Sequence, residues 1–178
     1  IRKVEKWIKE IVIGLNLCPF AAAALDTERV RFKISTAITL EEAFEDFLVE
    51  ADLIKSTTEF EVPTTLLIFT NSFSDFEEFY AFSRFLEDTI DKNKNLVDEV
   101  MVACFHPNHT FQGLEKNDPV HFEKRSPYPV VNLLRAPVVD KYVEDGKTCR
   151  IAEANEEKLR AEGFQSVERK LREILNSS

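Results

Sequence analysis

The chain predicts an α/β fold: a small, about three-stranded, mainly parallel sheet in βαβαβ order, flanked by an N-terminal helix and a helical C-terminal third. Three observations carry this. Apolar runs of strand length, at residues 30–34, Thr64–Phe69 and Val100–Phe105, alternate with longer segments of helical period. Those segments are long enough to serve as crossover helices, which makes the strands parallel neighbours. Val100–Phe105 is apolar throughout, as a strand covered on both faces should be.

Each element has its own signal. Val4, Trp7, Ile8, Ile11, Val12 and Leu15 recur at helical spacing, so a helix precedes the sheet. Gly14 and Asn16 loosen its end. Pro19 suits the first position of a short helix through 21–25, where its missing N–H would be unpaired, and this makes Cys18 the N-cap. Thr39 and Glu42 form a capping box before a helix that turns Ala43, Phe44, Phe47, Leu48, Ala51 and Ile54 inward. Thr64–Phe69 is a strand between Pro63 and Asn71. Ser74 and Glu77 form a second capping box, leading a helix with Phe76, Phe79, Tyr80, Phe82, Phe85, Leu86 and Ile90. Past Phe105 comes a long polar loop. Residues 130–134, 138–143, 152–161 and 167–175 then read as helices, with Gly163 as a stop and Ser166 as the next N-cap. No repeat or linker interrupts the chain, and residues 1–178 read as a single α/β domain.

Composition narrows the function. An apolar fraction of 44% with 15 phenylalanines supplies a globular core. The net charge of −9 disfavours nucleic acid as a partner. Three irregularly spaced cysteines make no disulfide framework, so an intracellular, reducing compartment, the cytoplasm, is expected. No run approaches the ~18 apolar residues of a membrane span, and nothing reads as a signal peptide. The four glycines lie too far apart for a dinucleotide fingerprint or a P-loop. The residues name no cofactor and no oligomeric state.

In a parallel sheet, ligands bind beyond the carboxyl ends of the strands, which here hold Asn71, His106 and the loop that follows. That loop carries all three histidines and four of the seven prolines. Ordering it is costly unless it is used. His106, held by Pro107, has the chemistry of a general base or a metal ligand, or simply of a histidine bonded at a strand end. Cys104, His106, His109, Asp118 and His121 are metal-ligating types, but their spacing matches no zinc pattern, and no metal site is expected. Cys18 at a helix N-terminus would be a nucleophile or redox thiol; packed in a corner, its sulfur would only fill space. Cys104 and Cys149 read as bystanders. Ser126 as an N-cap, with Pro127 opening a helix and Arg125 beside it, would clamp a carboxylate or phosphate. A bridge from Arg125 to Asp118 or another acid stays open.

The segments Gly14-Leu-Asn-Leu-Cys18-Pro-Phe-Ala21, Phe105-His-Pro107, Arg125-Ser-Pro-Tyr-Pro129 and Asn132-Leu-Leu-Arg135 resemble the signature of a family catalogued as domain of unknown function 1415. The resemblance runs from about Val4 to Gly163. It implies that Cys18, His106, Asp118, Arg125, Ser126 and Arg135 occupy motif positions, and it implies no activity. His109, His121, Lys124 and Asn132 depart from the pattern. The expectation is an enzyme, a cysteine- and histidine-dependent hydrolase or transferase acting on a small anion. Its catalytic residues would be Cys18 and His106; Asn71, Asp118, Arg125, Ser126 and Arg135 would bind substrate. A non-catalytic anion-binding module and a metal protein built on His106 are the alternatives.

Overall fold

The computed structural model describes residues 1–26, 29–144, 146 and 150–177. Cys149 lies outside them. Helix α1 (Arg2–Trp7) runs on as a π-helical stretch (Ile8–Ile13) and is followed by α2 (Ala21–Asp26). Strand β1 (Arg31–Ser35), α3 (Leu40–Ser56), β2 (Thr64–Phe69), α4 (Phe76–Lys92) and β3 (Val100–Phe105) follow in the expected alternation. A 3₁₀ turn (Pro119–Glu123), β4 (Val130–Arg135), α5 (Ala136–Glu144), α6 (Ile151–Glu162) and α7 (Phe164–Asn176) complete the chain.

The sheet is mixed and four-stranded, in the order β1-β2-β4-β3. β1 and β2 are parallel, and β4 runs antiparallel between β2 and β3. This corrects the three-stranded, mainly parallel sheet and the helix expected at 130–134. An apolar run of that length fits a buried strand as well as a buried helix. The sheet decides for a strand: Val131 and Leu133 enter one core while Val130 enters the other.

Each sheet face carries its own core. One is covered by α3 and α4, with Phe47, Phe69, Phe73, Phe79 and Phe82 interlocked. The other is covered by the N-terminal helix, α6 and α7, through Val4, Trp7, Ile11, Leu159, Val167 and Ile174. The capping box at Thr39 forms as read: its hydroxyl accepts from the Glu42 N–H while the Glu42 carboxylate accepts from the Thr39 N–H. The second cap is Asp75 instead of Ser74, its carboxylate taking the Glu78 N–H at 3.0 Å. Helix α7 starts directly after Gly163, so Ser166 is internal and bonds Glu162. Pro19 lies in the turn before α2, which starts at Ala21, so Cys18 is not its N-cap; the Cys18 carbonyl accepts from the Ala21 N–H at 3.4 Å.

The π-helical turn has a specific cause. At Gly14, a Cβ would stand 2.3 Å from the Glu10 carbonyl oxygen, a contact only glycine avoids. Its N–H reaches back five residues to Lys9, and the wide turn swings the chain toward Cys18. π-Helical turns cluster at functional sites.

Candidate functional site

The loop histidines are used by the fold. His106 is 1% exposed, its ring against Phe76 and Phe79. Its Nδ1 accepts from the Asn108 N–H at 3.1 Å, so Nε2 bears the proton and donates to the Phe73 carbonyl at 2.9 Å. Phe73 sits at φ 60°, a left-handed conformation unusual for a bulky residue, and His106 helps hold it there. Burial lowers the His106 pKa. His121 repeats the pattern: Nδ1 accepts from Phe111, and Nε2 donates to the Glu115 carbonyl at 2.9 Å. His109 packs edge-on against Phe76 and Phe111. Burial, with Lys124 nearby, lowers its pKa to about 4. Among the described residues, no group of three His, Cys, Asp or Glu side chains could hold a metal ion.

The anion clamp read at Arg125 and Ser126 does not assemble. Residues 126–129 form no helix, and Ser126, fully buried, donates its hydroxyl to the Tyr128 carbonyl at 2.5 Å. Residues 127 and 128 bend the chain into β4, and the prolines at 127 and 129 bar a helix there. Arg125 donates Nε–H to the His109 carbonyl at 3.0 Å and lays its guanidinium on Phe122. Asp118 caps the 3₁₀ turn through Val120 and pairs with Arg160 on α6. Asn71 is exposed and ties β2 to β1 through the Thr36 carbonyl at 3.3 Å. Arg135 makes four hydrogen bonds, to the carbonyls of Ile54, Thr58 and Val62 and to the Thr57 hydroxyl, closing the end of α3.

A cavity of about 310 Å³ lies elsewhere, on the sheet face opposite α3 and α4. Its floor is Thr64 and Leu66 of β2, Asn132 and Leu134 of β4, and Phe105 at the end of β3. Strand alternation and register put these five on one face: Thr64 pairs with Leu134, Leu66 with Asn132. Trp7, Ile8 and Val12 form one wall, Cys18, Phe20 and Ala21 another, and Val138, Val139 and Tyr142 of α5 a third. Phe20 meets Tyr142 edge-on at 4.4 Å, and Trp7 meets Phe105 at 5.2 Å. Arg29, Glu59 and Phe60 are exposed at the rim.

Polar atoms on this surface are few. Thr64 Oγ1 lies 2.6 Å from Asn132 Oδ1 and 2.7 Å from the Leu133 carbonyl, and its single proton serves one of them. Turning the Asn132 amide over lets its NH₂ donate to Thr64 while Thr64 donates to Leu133, so Asn132 can present either polarity. Trp7 is 2% exposed, and its Nε1–H is buried with no hydrogen-bond partner among the described residues. Such a group costs about 1–3 kcal/mol until an acceptor meets it. Cys18, half-buried, contributes the thiol.

The cavity therefore gathers Cys18 and Arg135 of the residues singled out from sequence, and leaves out Asn71, His106, Asp118, Arg125 and Ser126. It adds Trp7, Phe105 and Asn132. Trp7 carries no sequence signal beyond its helical period, whereas Phe105 and Asn132 lie inside the recognised segments. The turn through Cys18 is held from α6: Asn155 donates to the Leu17 carbonyl at 2.8 Å and Lys158 to that of Asn16.

No curated protein and no solved structure matches the chain. A family model described as protein of unknown function (DUF1415) matches residues 1–169. That span includes every residue that lines the cavity. The chain belongs to the DUF1415 family.

Proposed function

We propose that this protein binds a small, largely apolar molecule in the cavity between the sheet and the N-terminal segment, with Cys18 as the reactive side chain beside it. One observation carries the reading: segments far apart in sequence converge on an apolar cavity whose wall holds a thiol. The volume fits the lower end of the ~300–1,000 Å³ range of small-molecule sites. Such sites are mainly apolar with a few polar groups that orient the ligand, as Asn132 would here.

The small ligand read from sequence is kept; its negative charge is not. Arg125 is packed on Phe122, and Arg135 gives its N–H groups to α3 and the segment after it. The thiol is likewise kept without the imidazole as its partner, since His106 has both ring nitrogens bonded to backbone. Catalysis by Cys18 would then draw on the ligand and the cavity wall, and a hydrolase or transferase remains the class to assay.

Trp7 is the sole tryptophan, so its emission reports on the cavity directly. 2-Heptanone, small and apolar with one acceptor oxygen, should shift that emission saturably and slow iodoacetamide labelling of Cys18. Ala21→Phe, which fills the cavity, should abolish both responses. If neither emission nor labelling responds to 2-heptanone or to a panel of similar apolar alcohols and ketones, the cavity is not a binding site.

A further inference from the structure

Helices α3 and α4 join in an exposed apolar strip, and both are rich in acids. Leu40, Phe44 and Leu48 stand at i, i+4 and i+8 on α3, one side of the helix. Leu40 is 50% exposed and Leu48 39%. On α4, Phe85 is 50% exposed and meets Phe44 edge-on at 5.1 Å, joining the two helices into one strip. The stretch from Leu40 to Leu48 is about 12 Å at a rise of ~1.5 Å per residue.

Charge is concentrated on the same two helices. α3 has six acids against one base and α4 five against two, net −5 and −3, or eight of the chain's nine net negative charges. Only Glu50 of these acids is buried, where Arg31 pairs with it through both carboxylate oxygens. The other ten are exposed or half-exposed; by helical position Glu41, Glu45 and Asp52 flank the strip on α3 and Glu78 flanks it on α4, while Glu87 and Asp91 lie toward the β3 edge. An apolar strip bordered by one sign of charge selects its partner by the opposite sign.

We propose that the α3–α4 face docks a cationic amphipathic helix of another protein, its apolar side on Leu40, Phe44, Leu48 and Phe85 and its lysines or arginines against the bordering carboxylates. Charge decides among occupants. A second copy of this face, a nucleic acid or an anionic membrane would bring negative charge to negative charge. The inference is independent of the cavity, which lies on the opposite side of the sheet.

The probe is a synthetic peptide with leucine at i, i+3, i+4 and i+7 and lysine elsewhere, followed by fluorescence anisotropy. It should bind at least about tenfold more tightly than the same peptide carrying glutamate in place of lysine. Raising salt from about 0.1 to about 1 M, which shortens the screening length from about 10 to about 3 Å, should weaken it. The double variant Leu48→Ser, Phe85→Ser should lose about tenfold in affinity with its thermal midpoint unchanged. Should that variant unfold, Leu40→Ser and amide shift mapping onto α3 and α4 replace it. Equal binding of the lysine and glutamate peptides, unchanged affinity in the variants, or shifts mapping elsewhere would overturn the proposal. So would a concentration-dependent dimer that the same variants abolish, since the occupant would then be a second copy.

Discussion

Acid should weaken this fold through His109 before most carboxylates are protonated. The ring sits among Phe76, Phe111 and the cations Lys124 and Arg125, with Nε2 buried and unpartnered among the described residues. Protonating it in place would bury a charge beside like charges, which is why burial and Lys124 bring its pKa down to about 4. In the unfolded chain the same ring titrates at about 6.5. Between these values the unfolded state binds more protons, so stability rises with pH there and is lost as pH falls from about 6.5 toward about 4. The difference between about 6.5 and about 4, at about 1.4 kcal/mol per pH unit, sets a ceiling of roughly 3.5 kcal/mol. Partial exposure of the ring screens this to about 1–2 kcal/mol.

Urea denaturation at pH 7 and pH 5 measures it, with His109→Phe as the control. Phenylalanine keeps the ring contacts and removes the proton site. For a slope of about 2 kcal/mol/M, a loss of about 1 kcal/mol moves the wild-type midpoint down by roughly 0.5 M. The variant should show a smaller drop over the same interval, because carboxylates titrate alike in both. If wild type and variant lose the same stability between pH 7 and pH 5, the buried neutral His109 is wrong.

Three further outcomes follow from the geometry. Gly14→Ala should destabilise by about 1–3 kcal/mol in thermal or urea unfolding, because its Cβ would overlap the Glu10 carbonyl; a neutral effect would mean that the π-helical turn relaxes freely. Arg135→Ala should cost about 2–4 kcal/mol with or without added sulfate, since it releases four hydrogen bonds that hold the end of α3; a cost that sulfate changes would make Arg135 an anion ligand. Iodoacetamide at neutral pH should label Cys18 well before Cys104, whose thiol burial pushes up to about 12; mass-spectrometric mapping that finds Cys104 first would reverse the assignment of the accessible thiol.

Local signals were legible where one physical cause sets the outcome. Thr64–Phe69 and Val100–Phe105 were bounded to the residue, and the Thr39 box capped the helix it announced. Gly163 stopped α6 in a left-handed conformation, as a glycine there should. Failures came where two causes compete within a few residues. Ser74 and Asp75 are adjacent candidates for one cap, and the carboxylate next to the helix dipole won. The run at Val130–Arg135 carries no periodicity that separates strand from helix. Only pairing with β2 and β3 on both sides decides it, and pairing is nonlocal.

The cavity failed to show in the sequence for a related reason. Polar residues in a proline-rich loop signal themselves, and the loop needed its polar groups to satisfy its own backbone. His106, His121, Asp118 and Ser126 each bond main-chain atoms that would otherwise be buried unpaired. A cavity wall sends no such signal, because it is made of ordinary apolar residues whose meeting depends on topology. The recognised segments reach the cavity through residues other than most of those singled out. In Phe105-His106-Pro107, alternation along β3 carries Phe105 to the cavity face, and the chain then turns His106 back onto Phe76 and Phe79 of α4. In Asn132–Arg135 the same alternation places Asn132 and Leu134 on the floor, while Arg135 reaches across to the end of α3. A one-residue choice of face separates a cavity wall from a structural brace, and it was the insertion of β4 between β2 and β3 that made the choice.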